Sequence, residues 1–301
     1  MGETARACGH CPGSHTGAGL CRATATVKPR AWLLIEHPGP WGERVEQTAL
    51  PGPLAEVVGR ALALGVRPQL IRRTGRRRRT PPLQVYAGWS YGRDVWMHGR
   101  ELADPAELLD LDLAGLAEGV RVFDGEPADA LVLVCTHGRR NACCARTGAP
   151  LARDLRAHFG DLVWETTHLG GDRYAANIAC FPYGLYYGDL DLPRAVVAVE
   201  AALRGEVVLD RYRGRAGLPE PAQAAEHYVR AHTGNLAIET LNVESPKGGQ
   251  AFCIVVDDRG TRYKVTLKQS ENTHPCGSEC NESVRSYLLR DLTLLNEAAL
   301  V

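Results

Sequence analysis

The chain has 301 residues, 45% hydrophobic and 23% charged, enough to bury one large core or two modest ones. Its 35 basic and 35 acidic side chains cancel, and the pI is near 7.1, so no global field draws it to nucleic acid or to an anionic membrane. No apolar run reaches the roughly 18 residues of a membrane span, and "MGETARACGHCPGSHTGAG" lacks the basic start and apolar stretch of a signal peptide. The expectation is a cytoplasmic protein with no membrane partner and no nucleic-acid partner.

Residues 1–29 are rich in Gly, Thr and Cys without a period, and read as a loosely ordered segment. A first unit spans 30–125. "AWLLIEH" reads as a buried strand, and "LAEVVGRALALG" as a helix closed by Gly65. "VRPQLIRR", "PLQVYAGW" and "DVWMHG" read as strands. "DPAELLDLDL" reads as a helix with Asp104 as N-cap and Pro105 at its first position.

A second unit spans 126–212. "DALVLVCTHG" reads as a strand, and "APLARDLRAHFG" as a helix with Pro150 in its first turn. "LVWETTH" is a third strand-like run, "YAANIACFPYGLYYG" a strand, turn and strand, and "DLPRAVVAVEAALRG" a helix capped by Asp191. Both units thus read β-α-β-β-β-α, and "WLLIEHPG" and "LVLVCTHG" sit in matching places about one hundred residues apart, as a degenerate duplication would place them. Residues 213–301 read as a small α+β appendage: helix "PAQAAEHYVRAHTG", then strands "NLAIETLNVE", "AFCIVVDD" and "TRYKVTL".

Ten cysteines need a reason in a reducing compartment, where clustered thiols bind metal or do redox chemistry more often than they form disulfides. Cys180 and Cys253 lie alone in apolar runs and read as small buried hydrophobes. "CTHGRRNACC" places Cys135, Cys143 and Cys144 in a tight loop at the end of a buried strand, where an α/β fold puts its sites. Adjacent side chains diverge, so one of Cys143 and Cys144 is expected to join Cys135 at a metal. "HLGGDRYAAN" follows, with His168 and Asp172 four apart around two glycines that permit a tight turn. Imidazole and carboxylate are both competent ligands.

"CTHGRRNACCARTGAPLA", "HLGGDRYAAN" and "FPYGLYYGDL", with "WLLIEHPGPWG" and "LIRR" upstream, resemble the sucrase/ferredoxin-like family over roughly residues 30–205. The resemblance implies an α/β, thioredoxin-like fold, one such unit or two in tandem, holding a [2Fe–2S] cluster. It implies two cysteines on one iron and two histidines, from an H-x-G-G-H stretch, on the other. Carried over, the cysteines are Cys135 and Cys144, nine positions apart as in the family, and the first histidine is His168. The second histidine is replaced by Asp172.

Three readings of the fourth position stay open. Asp172 ligates; or Cys143, His137 or an N-terminal cysteine does; or Asp172 pairs with a cation such as Arg173 and the cluster is absent or altered. With Cys135, Cys144, His168 and Asp172 the oxidised site would carry about −1, between about −2 for four thiolates and about 0 for two thiolates and two imidazoles. The expected function is electron transfer with a redox partner protein. The alternatives are an iron-free thiol enzyme using Cys143 or Cys144, and a zinc-stabilised binding module.

Other clusters have plainer readings. "RRTGRRRRTPP" is read as a solvated loop, ahead of a docking face for an acidic partner. Cys8, Cys11, Cys276 and Cys280 have ligand-like spacings but no motif that joins them. Asp189 and Asp191 are not expected to form a glycosidase pair, since alternate strand residues face apart and Asp191 is used as a cap.

Overall fold

The run Ala31–Glu36 (β1) is apolar at nearly every position because both of its faces are covered. Around it the computed structural model describes residues 28–75, 82–128, 130–171, 174–244, 252–272 and 284–295. The chain forms a mixed α/β structure with a large ten-stranded sheet and a smaller sheet of four strands.

In the first half, helix Gly52–Ala63 (α1) carries the chain from β1 to the parallel strand Arg67–Arg72 (β2). Strands Leu83–Trp89 (β3) and Trp96–Leu102 (β4) then add antiparallel on the far side of β1. The expected helix after Asp104 is broken. Asp104 does cap it, with Glu107 completing a capping box, but Pro105–Asp110 is a 3-10 turn, and Asp112 restarts the chain as the short helix Leu113–Ala117 (α2). A two-residue strand, Glu126–Pro127 (β5), closes this edge.

The second half repeats the connectivity. Strand Leu131–Cys135 (β6) leads through helix Ala142–Phe159 (α3) to the parallel strand Val163–Thr166 (β7). Strands Ile178–Phe181 (β8) and Leu185–Tyr187 (β9) add antiparallel beyond β6, followed by helix Leu192–Leu203 (α4), which Asp191 caps as expected. Strand Tyr212–Arg215 (β10), not anticipated from the sequence, pairs with β9 and runs across the 212/213 boundary drawn above.

The halves join where β2 and β7 pair antiparallel at their C-terminal ends, Ile71 opposite Thr166 and Arg72 opposite Glu165. The C-terminal ends of β1, β2, β6 and β7 therefore converge at the middle of the sheet. The sheet curls around a shared core of Trp32, Leu34, Tyr86, Trp164, Phe181 and Tyr186, drawn from both halves. Trp32 meets Phe181 edge to face at 4.8 Å, and Tyr86 meets Trp164 at 5.9 Å. On the outer faces α1 covers the first half, and α3 and α4 cover the second.

The appendage packs helix Glu220–Thr233 (α5) on the antiparallel strands Leu241–Glu244 (β11), Phe252–Asp257 (β12), Arg262–Asn272 (β13) and Val284–Leu295 (β14). Buried Glu226 accepts from Arg230 at 2.7 Å and faces Arg215 of β10 at 3.5 Å, so an ion triad fastens α5 to the large sheet. Among the described residues no helix is long and apolar enough to cross a membrane.

Candidate metal centre

Three separate segments deliver the donors. Cys135 ends β6, Cys144 lies in the first turn of α3, and His168 follows β7. Their ligating atoms all lie within 4.8 Å of one another, and Cys144 Sγ stands 3.8 Å from His168 Nδ1. Both cysteines are 1% exposed, while His168 is half-buried. The site is thus closed on its sulfur side and approaches solvent at the imidazole.

Local sequence explains the convergence. Helix α3 starts earlier than its apolar pattern predicts, because Asn141 caps it by accepting from the Cys143 N–H at 2.8 Å. Pro150 consequently lies inside the helix, not in its first turn. Gly148 is buried against β6, where a Cβ would collide with the Cys135 carbonyl oxygen. That close approach seats the first turn of α3, and Cys144 with it, beside Cys135.

The hydrogen bond from the Cys144 thiol is the main influence holding the Cys135 thiol well below its ordinary range; burial opposes it, and His168 adds to the lowering. Cys135 is therefore disposed to be a thiolate, the form that binds metal. Lone Cys180 and Cys253 behave oppositely: burial pushes their thiols up to about 12 and about 11, as expected of inert core residues.

His137 is a strut. Its Nδ1 accepts from the His168 N–H at 3.1 Å, so its Nε2 carries the proton and donates to the Gly42 carbonyl at 2.6 Å. Both ring nitrogens are engaged, which removes His137 from the candidates for a fourth ligand. Trp41 packs edge-on to it at 5.7 Å. Cys143 is half-buried, with its sulfur 3.7 Å from Arg146 Nη2, and does not belong to the donor group. Asp172 and Arg173 lie outside the described residues, as do Cys8, Cys11, Cys21, Cys276 and Cys280.

The first half supports the second. Arg67 and Gln69 of β2 donate to the His168 carbonyl at 3.0 and 3.4 Å. Arg72 pairs with Glu165 at 2.7 Å and stacks on Trp41, and Thr136 donates to the same carboxylate at 3.0 Å. The start of the arginine-rich stretch is thus structural, with Arg73 lying over Trp164; residues 76–81 lie outside the described residues. Arg139 is exposed, and Arg140 pairs with Glu43 at 2.9 Å. Asp189 pairs with Arg211, and Asp191 caps α4 and pairs with Arg194, so both carboxylates have structural work.

Sequence reasoning missed Asn177 and Arg213. Asn177 donates through Nδ2 to the Gly171 carbonyl at 2.9 Å, and its own carbonyl accepts from the Cys135 N–H at 3.0 Å. Arg213, 0% exposed on β10, donates to the Gly170 carbonyl at 3.1 Å and to Asn177 Oδ1 at 2.7 Å. A buried arginine has no periodic signature. An available clue was its place in "RYRGR", beside Tyr and Gly just beyond the family-like region.

The fold and the grouped side chains define a mixed α/β protein in which two buried cysteines and one half-buried histidine stand where they could hold a metal ion. The sucrase/ferredoxin-like family model matches residues 24–214, more than half of the chain, and the protein belongs to that family. The chain is also similar to "Altered inheritance of mitochondria protein 32" of Meyerozyma guilliermondii, at 30% identity over 99 residues, 29% of this chain and 34% of that protein. The match therefore covers about a third of that relative's length. No solved structure matches the chain.

Proposed function

We propose that the protein transfers single electrons through a [2Fe–2S] cluster held by Cys135, Cys144, His168 and, as fourth ligand, Asp172. The observation that carries this reading is the meeting of two thiols and an imidazole, from the end of β6, the first turn of α3 and the segment after β7, within 4.8 Å. The donor set fits the group: thiolates are the usual holders of such clusters, and imidazole replaces them in some. When bound, the cluster would accept and release one electron at a time.

The chain's own part is to exclude water from the sulfur side, to lock His168 through His137, Arg67 and Gln69, and to present the half-buried imidazole to a redox partner protein. The repeated connectivity and matching strand orders support a scaffold of two tandem thioredoxin-like units, the first degenerate. A reducing cytoplasm suits the free thiols.

A second reading is a single structural zinc ion. Two donors on one tetrahedral zinc, with bonds of about 2.3 Å to sulfur and 2.0–2.1 Å to nitrogen, stand about 3.5–3.8 Å apart. The Cys144–His168 separation of 3.8 Å is close to that.

Metal and acid-labile sulfide analysis of anaerobically purified protein decides between them. The expected result is two irons and two sulfides per chain, a reddish-brown colour, and an electron paramagnetic resonance signal after dithionite reduction. Zinc alone would establish the second reading, and a colourless, metal-free protein would leave the thiol enzyme. In the iron-loaded protein, Asp172→His and Asp172→Ala are expected to change the reduced spectrum. Unchanged spectra in both would remove Asp172 from the coordination sphere.

A further inference from the structure

Arg213 is a charged side chain in a place where charge is expensive. A guanidinium with no exposure persists only where carbonyls and negative groups replace its water. Here Nη1 binds the Gly170 carbonyl and Asn177 Oδ1, and the planar fork lies so close to Gly171 that a Cβ there would overlap Nη2. Asn177 holds the next carbonyl, that of Gly171, and through its own backbone holds Cys135. Arg213 and Asn177 thus clamp the two glycines that follow His168 and tie them to the strand that delivers Cys135. The guanidinium therefore stands beside the loop that carries His168 and one residue contact away from the strand end that carries Cys135; burial lowers the pKa of Arg213, and Tyr174, Tyr186, Cys135 and Cys144 act against that loss.

We infer that Arg213 is the positioning residue and buried counter-charge of the metal centre: it fixes the His168–Gly171 loop and stabilises the negative charge that arrives with an electron. The inference rests on the cluster reading for its electrostatic half only; the clamp exists without metal. A fixed cation near a redox centre favours the reduced state, so its removal lowers the midpoint potential.

The test compares full-length wild type, Arg213→Gln and Arg213→Lys. In the cluster-loaded proteins Arg213→Gln is expected to lower the affinity for the electron about tenfold, a midpoint about 59 mV more negative for one electron. Arg213→Lys keeps the charge and loses the fork. Its midpoint is expected to stay near wild type while the amides of residues 168–171 exchange hydrogen faster. A merely structural role would move the exchange rates of both variants and leave the Gln and Lys potentials alike. Should Arg213→Gln fail to fold, Arg213→Met, equally uncharged, takes its place.

Equal potentials in all three proteins at equal cluster content would overturn the counter-charge. Unchanged loop exchange in the metal-free variants would overturn the clamp. Absence of iron from wild type sinks the cluster reading separately, and the counter-charge with it, while the exchange comparison still decides the clamp.

Discussion

The two halves of the ten-stranded sheet share one connectivity and differ at the ends of their central strands. In the second, β6 ends in Cys135 and the next helix begins after a short turn, so its first turn can bring Cys144 back to the strand end. In the first, β1 ends at Glu36, whose carboxylate accepts from the Gln84 N–H at 3.0 Å and is thereby tied into the sheet. A longer connection follows β1, and it reaches across to hold His137 through Gly42. The second half carries the grouped Cys135, Cys144 and His168, and the first adds Gly42, Arg67 and Gln69 to the second half's own His137, Asn177 and Arg213 in orienting them. The antiparallel join of β2 to β7 brings the C-terminal strand ends of both halves to one place.

The contrast can be broken most severely at the strand ends. Cys135→Ser is expected to abolish bound metal, whereas Glu36→Gln at the matching position leaves metal content at the wild-type level; iron, sulfide and zinc analysis of both variants checks this. Loss of metal in both would mean that the halves share the site itself.

The next effect concerns the join between the large sheet and the appendage. Removing the Glu226 charge leaves Arg215 and Arg230 buried without their partner. Glu226→Gln is expected to cost about 3–5 kcal/mol in denaturant unfolding. Burial opposes ionisation of Glu226, but Arg215 and Arg230 outweigh it and hold its pKa below 4.5. A depressed carboxylate stabilises the fold fully above its unfolded value and loses that contribution as pH falls through the folded one. Wild type should therefore lose stability below about pH 4.5, and Glu226→Gln should lose less over the same range. Parallel acid titrations of stability in the two proteins would refute the assignment.

The smallest effects set one helix against its counterpart. Gly148 in α3 is pressed on the Cys135 carbonyl, while Gly59 in α1 has open space around it. Gly148→Ala is expected to cost about 1–3 kcal/mol by overpacking. Gly59→Ala is expected to gain about 0.5–1 kcal/mol from helix propensity and a stiffer unfolded chain. Thermal or denaturant unfolding reads both, and a neutral Gly148→Ala would show that α3 does not need its close approach.

Much of this was legible beforehand where the signal is local. The alternation of apolar strands and amphipathic helices, the caps at Asp104 and Asp191, and the inert setting of Cys180 and Cys253 follow from neighbours within a few positions. Cys135, the Cys143–Cys144 pair and His168 stood out because their residue types and spacing are rare, and the family resemblance chose Cys144 of the pair. Misreadings arose where a local signal was overridden. Asn141 started α3 a full two turns before Pro150, and Asp112 interrupted the run after Asp104.

The amino-acid sequence by itself determined most of the elements, the repeated β-α-β-β-β order, the thiol-bearing loop and His168, because periodicity, capping and thiol chemistry act over short stretches of chain, while the choice of Cys144 over Cys143 rested on the family resemblance. Tertiary structure alone decided the pairing of β2 with β7, the commitment of both His137 nitrogens, and the burial of Arg213 against Gly170. Those contacts span 95 positions for His137 with Gly42 and 43 for Arg213 with Gly170. Whether a buried charge or a ring nitrogen finds its partner depends on which distant backbone groups the fold leaves unpaired beside it, and no local pattern carries that information.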